Sequence, residues 1–172
     1  MQLVVFDPAH ASGLPRLTSS PAPVDRGGLL EWSLKGGGAM AGGPYEGGCF
    51  CGMVRYRVSG EPSRSAICHC VSCRRTSGAL TVAWVSFPYR TFSFIEGEPA
   101  DFRSSDEVSR TFCQSCGTSL TYRDDEAADS IDVTTASLDR PDEFPPTRHI
   151  WLEDKLAWEV VDDGLPRFER GS

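Results

Sequence analysis

All seven cysteines of the chain fall in three tight groups: Cys49-x-Cys51, Cys68-x-Cys70-x-x-Cys73 and Cys113-x-x-Cys116. Thiolates one or two residues apart can grip the same ion, so the grouping points to zinc rather than to isolated buried thiols. Four sulfurs close a tetrahedral site and are structural. The remaining three fill three corners of a second site and leave one open for a substrate. Cys68, Cys70 and Cys73 can wrap one ion from a single loop and suit the open site. Neither Cys49-x-Cys51 nor Cys113-x-x-Cys116 closes a site alone. Together they form a four-cysteine clip from the start of the domain to its middle, where metal binding is folding free energy. The gap from Cys73 to Cys113 exceeds the roughly 15–20 residues between the knuckles of a zinc ribbon. That favours a nested arrangement, although spacing alone leaves an exchange of ligands between the sites open. Gly47, Gly48, Gly52 and Gly117, beside the two pairs, are expected to permit tight backbone geometry. A redox dithiol at Cys70-x-x-Cys73 would open a helix inside a βαβ unit, and no such pattern surrounds it.

Three thiolates make zinc formally anionic, a weaker Lewis acid than zinc held by imidazoles, and one well matched to a soft substrate thiol. A thiol bound there loses its proton. Nucleobase deaminases run water chemistry on similar zinc, but with a His-x-Glu motif and a Pro-Cys-x-x-Cys. This chain has no His-x-Glu, and Phe112 precedes Cys113. Arg74 and Arg75 follow Cys73 and would offset thiolate charge and receive substrate carboxylates; a surface role paired with the excess acids is the competing reading. His69 sits between two ligands as a proton-transfer candidate or as a packed loop residue. His149 reads as structural, and His10 is given no role. Trp84, Trp151, Trp158 and Phe168 read as core or cavity wall. Asp124, Asp125 and Glu126 read as a solvated turn.

The elements that must position these groups are mostly strands. Met53–Val58 alternates apolar and basic residues, the mark of a half-buried strand. Leu80–Phe87, Thr91–Ile95 and Ile131–Thr135 are further strands, and Val108–Phe112 and Ser119–Tyr122 flank the last cysteine pair as hairpin arms. Turns are expected at 59–62, 96–99 and 123–125. Only the segment after Cys70 and residues 153–160 suit short helix. The expected fold is mainly β, a single zinc-stapled domain with few short helices.

A length of 172 residues fits one domain. A formal charge of −7 and a pI near 4.9 argue against generic binding to nucleic acid or to anionic membrane. No apolar run approaches the roughly 18–20 residues of a membrane span. Leu3–Phe6 is apolar, but no basic segment precedes it and Asp7 follows, unlike a secretory signal. An odd cysteine number without such a signal points to a reducing, cytoplasmic setting. Residues 1–42 carry Pro8, Pro15, Pro21, Pro23 and the run Gly36–Gly38, and read as a disordered extension before a zinc domain at 43–172. Met40, just ahead of the first cysteine motif, stands where a shorter chain would start.

Three segments together resemble a known family: Gly47-Gly48-Cys49-Phe50-Cys51-Gly52-Met53-Val54-Arg55-Tyr56, then Cys68-His69-Cys70-Val71-Ser72-Cys73-Arg74-Arg75-Thr76-Ser77-Gly78-Ala79, then Phe112-Cys113-Gln114-Ser115-Cys116-Gly117-Thr118. They look like the glutathione-dependent formaldehyde-activating enzymes, also called the centromere protein V family, over about residues 45–169. The resemblance implies folded antiparallel sheets, a structural zinc on Cys49, Cys51, Cys113 and Cys116, and a catalytic zinc on Cys68, Cys70 and Cys73. It implies a carbon–sulfur lyase joining glutathione to formaldehyde as S-hydroxymethylglutathione. Residues 1–40 lack the basic tail of a chromatin- or microtubule-associated member. The alternative is a non-catalytic zinc-binding interaction module, and a thiol-exchange role ranks third.

Overall fold

The computed structural model describes residues 43–171, so the extension expected at 1–42 lies outside the described residues. Ten strands and one α-helix occur among them: β1 (Tyr45–Gly48), β2 (Arg55–Val58), β3 (Arg64–Cys68), α1 (Val71–Ser77), β4 (Val82–Pro88), β5 (Phe92–Glu96), β6 (Ala100–Arg103), β7 (Val108–Phe112), β8 (Ser119–Asp124), β9 (Ser130–Thr134) and β10 (His149–Ile150). They form two sheets. One is three-stranded, in the order β1-β2-β5; the other is seven-stranded, in the order β10-β3-β4-β9-β8-β7-β6. All pairings are antiparallel except β10 with β3. The mainly-β expectation holds. The helix after Cys70 is present, whereas residues 153–160 hold only the end of a 3-10 turn, Leu152–Asp154. There the backbone is drawn into bonds with the C-terminal tail, including Leu152 N–H to the Phe168 carbonyl at 3.1 Å and Glu153 N–H to the Glu169 carbonyl at 3.3 Å.

The large sheet separates two apolar clusters, because successive side chains of a strand point to opposite faces. Val85 and Phe87 of β4 and Ile131 and Val133 of β9 pack on one face with Tyr45, Tyr56, Val58 and Phe144 of the main core. Trp84 and Val82 of β4 face the other way and cluster with Cys68 and Cys73. β4 is central and buried along most of its length, which is why its sequence reads as an apolar run rather than an alternation. In the β7–β8 hairpin the register shifts between Thr111 and Phe112, and Leu120 joins the main core. Trp158 is 67 % exposed and belongs neither to core nor to cavity wall, since it lies in the irregular stretch where a helix was expected. Phe168 is also exposed, with the Arg148 guanidinium 5.7 Å from its ring centroid.

Gly47 lies in β1, and its role is room rather than turning. A side chain there would overlap the Tyr56 ring, whose hydroxyl bonds to Ser137 at 2.8 Å, and the Ser137 carbonyl. Gly47→Ala is expected to lower stability by about 1–3 kcal/mol through overpacking, read as a shift in the denaturant midpoint. A change below about 0.5 kcal/mol, the size of an ordinary surface substitution, would mean that this crossing is loose.

A cysteine-walled cavity as the candidate active site

The chain builds two knuckles of the same design. Cys49 N–H bonds to the Val54 carbonyl at 2.9 Å, and Cys113 N–H to the Thr118 carbonyl at 2.9 Å. Inside these loops Gly52 N–H returns to the Cys49 carbonyl and Gly117 N–H to the Cys113 carbonyl. Both glycines take positive φ, 78° and 76°, which a side chain resists. The turns bring Cys49, Cys51, Cys113 and Cys116 together, their sulfurs all within 4.8 Å of one another. Cys49 and Cys51 sulfurs are 3.5 Å apart, and Cys51 and Cys113 sulfurs 3.7 Å. A zinc tetrahedron with Zn–S bonds of about 2.3 Å has sulfur–sulfur edges of about 3.8 Å, so the spacing fits such an ion. Val54 N–H donates to the Cys49 sulfur at 3.3 Å, and the Thr118 hydroxyl lies 3.2 Å from the Cys116 sulfur, as donors around thiolates do.

Cys68, Cys70 and Cys73 form the second cluster, again with all sulfurs within 4.8 Å. Cys68 ends β3. Cys70 is the N-cap of α1, and its sulfur accepts from Cys73 N–H at 3.3 Å. The first helical turn thereby folds Cys73 back onto Cys70. Sulfur–sulfur hydrogen bonding with Cys68 and then Cys73 draws the Cys70 thiol down to about 2, while the contacts with Cys70 and Cys73 push Cys68 far up. Three sulfurs crowded this closely are a donor set that a divalent cation can organise. Among the described residues no further His, Cys, Asp or Glu joins this trio. All three cysteines line a cavity of about 370 Å³, walled also by Trp84, Ile150 and Trp151. Trp151 takes a left-handed φ of 60°, uncommon for a bulky residue.

The other expected site residues lie elsewhere. His69 is buried, but its ring is not in the cavity wall. Its Nε2 is 2.9 Å from His149 Nδ1, its Nδ1 is 3.3 Å from Glu159, and His149 Nε2 is 2.8 Å from Asp163. Alternation along the chain turns His69 away from its two cysteine neighbours, and burial lowers its pKa. Arg74 and Arg75 also stand off the wall. Arg74 donates to the Asp154 carbonyl at 2.8 Å, and Arg75 is exposed. The helical period points Cys73 inward and carries its successors round the outside. The arginine at the sulfurs is Arg110 instead. It is 5 % exposed, with its guanidinium nitrogens 3.7 and 3.8 Å from the Cys73 sulfur and its carbon 4.8 Å from the Tyr122 ring centroid. The signal for it was an arginine in the middle of the strand Val-Ser-Arg-Thr-Phe, on the face with the apolar Val108.

The model of the family described as "Glutathione-dependent formaldehyde-activating enzyme" matches residues 44–154. A Halomonas elongata protein, provisionally named a glutathione-dependent formaldehyde-activating enzyme, is 30 % identical over 128 residues, 68 % of this chain and 80 % of that protein. An uncharacterised lyase of Schizosaccharomyces pombe is 29 % identical over 85 residues, 45 % of this chain; the match spans 56 % of that protein's length. A crystal structure of a Rhodobacter sphaeroides protein aligns at a TM-score of 0.48 and 16 % identity, over 72 % of this chain and 98 % of that one.

The two clusters differ in what they join, and this has a measurable consequence. Cys113→Ser removes a sulfur linking distant knuckles and is expected to cost several kcal/mol, or the fold itself. Cys70→Ser alters one local loop and should shift the thermal midpoint far less. Equal shifts in differential scanning fluorimetry would show that both clusters carry the fold.

Proposed function

The chain belongs to the glutathione-dependent formaldehyde-activating enzyme family, and we propose on that premise that it is a zinc-dependent carbon–sulfur lyase that joins a thiol, glutathione, to formaldehyde. The observation that carries this reading is the sulfur trio in the wall of a cavity, with no fourth protein ligand among the described residues. Cys68, Cys70 and Cys73 would hold one zinc ion, and Cys49, Cys51, Cys113 and Cys116 a second, structural one. Bound at the trio, zinc supplies the Lewis acidity that lowers a substrate thiol's pKa and keeps it as thiolate.

The chain's own residues account for the rest. Arg110 sets a buried cation against the Cys73 sulfur and offsets the charge of three thiolates. Trp84, Ile150 and Trp151 give the cavity apolar walls that exclude water from the reacting sulfur. In the reaction the thiol gives up its proton, its sulfur bonds to the carbonyl carbon, and the carbonyl oxygen takes a proton. The product is the hemithioacetal S-hydroxymethylglutathione, and the reverse path releases both reactants. His69, held between His149 and Glu159, serves in this reading to fix the ligand loop rather than to move the proton.

Exchange NMR of formaldehyde with glutathione tests the proposal. The zinc-loaded protein is expected to accelerate exchange above the spontaneous rate, and Cys70→Ser to reduce that acceleration by at least about a hundredfold. No acceleration by the wild-type protein would leave a zinc-binding module without this chemistry. Arg110→Met, which keeps bulk and removes charge, should lower kcat/KM by about tenfold to a hundredfold; an unchanged value would remove Arg110 from the site's electrostatics.

A further inference from the structure

A single cross-strand row runs under the cavity away from the sulfurs. Arg64 pairs with Ser86, Ser86 with Asp132, Asp132 with Tyr122, and Tyr122 with Arg110. All five residues line the cavity. At one end Arg110 is committed to the Cys73 sulfur, the Tyr122 ring and the Ser104 hydroxyl. The opposite end is held loosely. The Ser86 hydroxyl donates to Asp132 Oδ1, and Arg64 Nε reaches Ser86 Oγ at 3.4 Å. The nearest approach of Arg64 to Asp132 is 4.0 Å, at Oδ2. That distance is beyond a hydrogen bond, and among the described residues the Asp132 side chain accepts its hydrogen bond at Oδ1. The Arg64 side chain is 42 % exposed and that of Asp132 is 14 % exposed. Burial, partly offset by the Ser86 bond and by Arg64, holds the Asp132 carboxyl above its ordinary range.

We propose that Arg64, Ser86 and Asp132 form a receptor for the zwitterionic α-amino-acid head of the thiol substrate. The substrate carboxylate docks on the Arg64 guanidinium, and its ammonium docks on Asp132 with Ser86 beside it. The inference rests on the glutathione reading, because the γ-glutamyl end of glutathione is such a head. The chemistry is selective in both directions. A carboxylate without an ammonium meets the Asp132 charge, and an amine without a carboxylate meets Arg64, so each truncated ligand leaves one charge of the receptor unpaired. The span also fits. Arg64 stands four residues before Cys68 on β3, about 13 Å along the strand. By standard bond lengths an extended γ-glutamyl-cysteine unit sets its amino-acid head about 10 Å from the sulfur. The long Arg64 side chain covers the remainder.

Titration calorimetry on the zinc-loaded protein tests this with three peptides: glutathione, glutaryl-cysteinyl-glycine, which lacks only the amino group, and 4-aminobutyryl-cysteinyl-glycine, which lacks only the α-carboxylate. Wild type is expected to favour glutathione over each analogue by at least about tenfold. Asp132→Asn should bind glutathione and the glutaryl peptide within about twofold of one another. Arg64→Gln should do the same for glutathione and the aminobutyryl peptide, and its exposed position keeps the fold intact should Asp132→Asn fail to fold. Equal binding of all three peptides by wild type overturns the receptor while leaving the glutathione reading in place. So do variants that keep the full wild-type preference. Binding of none of them by wild type overturns the glutathione reading, and the receptor with it.

Discussion

Four sulfurs closing on one point hold together two hairpin turns that lie far apart in the chain; Cys51 and Cys113, 62 residues apart, come within 3.7 Å. The described residues contain a single α-helix of seven residues, and most of their strands have four to six. Such pieces are marginal alone, and a loop this long is costly to close without a strong contact. The four-cysteine cluster is that contact. It sits within the main core beside Val54 and Leu120, so closing it also packs β1 and β2 against the β7–β8 hairpin. The second cluster depends on the first, because α1 and the end of β3 are presented by a sheet whose β7 and β8 strands the first cluster anchors.

The seven-stranded sheet works as a partition. One set of alternating positions faces the core, and the other faces the cavity, so each face carries one cysteine cluster and each cluster has its own apolar neighbours. Alternation makes the cavity face a grid. Rows across the strands carry Arg64, Ser86, Asp132, Tyr122 and Arg110, while columns along the strands lead from Arg64 through Ala66 to Cys68. A grid of this kind sets the spacing between the cysteine trio and the charged groups at the far end of the cavity without any loop having to hold them.

Charge is arranged with the same economy. An acidic chain places one arginine where three thiols crowd together, and buries it against an aromatic face rather than leaving it to solvent. A buried cation beside soft anions interacts far more strongly than the exposed pairs that decorate the β1–β2 edge, such as Arg57 with Glu46. Behind the trio, His69 and His149 link the loop between Cys68 and Cys70 to β10 and, through Glu159 and Asp163, to the C-terminal segment. That segment crosses β10 and the 3-10 turn after it through backbone bonds from His149 to Glu153, and its end reaches the cavity wall beside Trp151.

The sequence by itself determined the strand-rich class, the helix after Cys70 and the hairpin around Cys113 and Cys116; it favoured a nested grouping of the seven cysteines into four and three, which the folded positions of the sulfurs then decided. These are local matters. Period-two patterns, glycine beside cysteine, and ligand spacing are all written over a few residues, and the physics that reads them has the same short range. Only the tertiary structure decided which arginine meets the sulfurs. Arg74 and Arg75 are neighbours of Cys73 in sequence, yet a helical turn carries them outward, while Arg110 comes from a strand in the middle of the chain through cross-strand register. The same holds for His69, whose place between two cysteines conceals a side chain turned the other way. Direction depends on the parity of a strand or the phase of a helix relative to a packed face, and that face exists only once distant segments have come together.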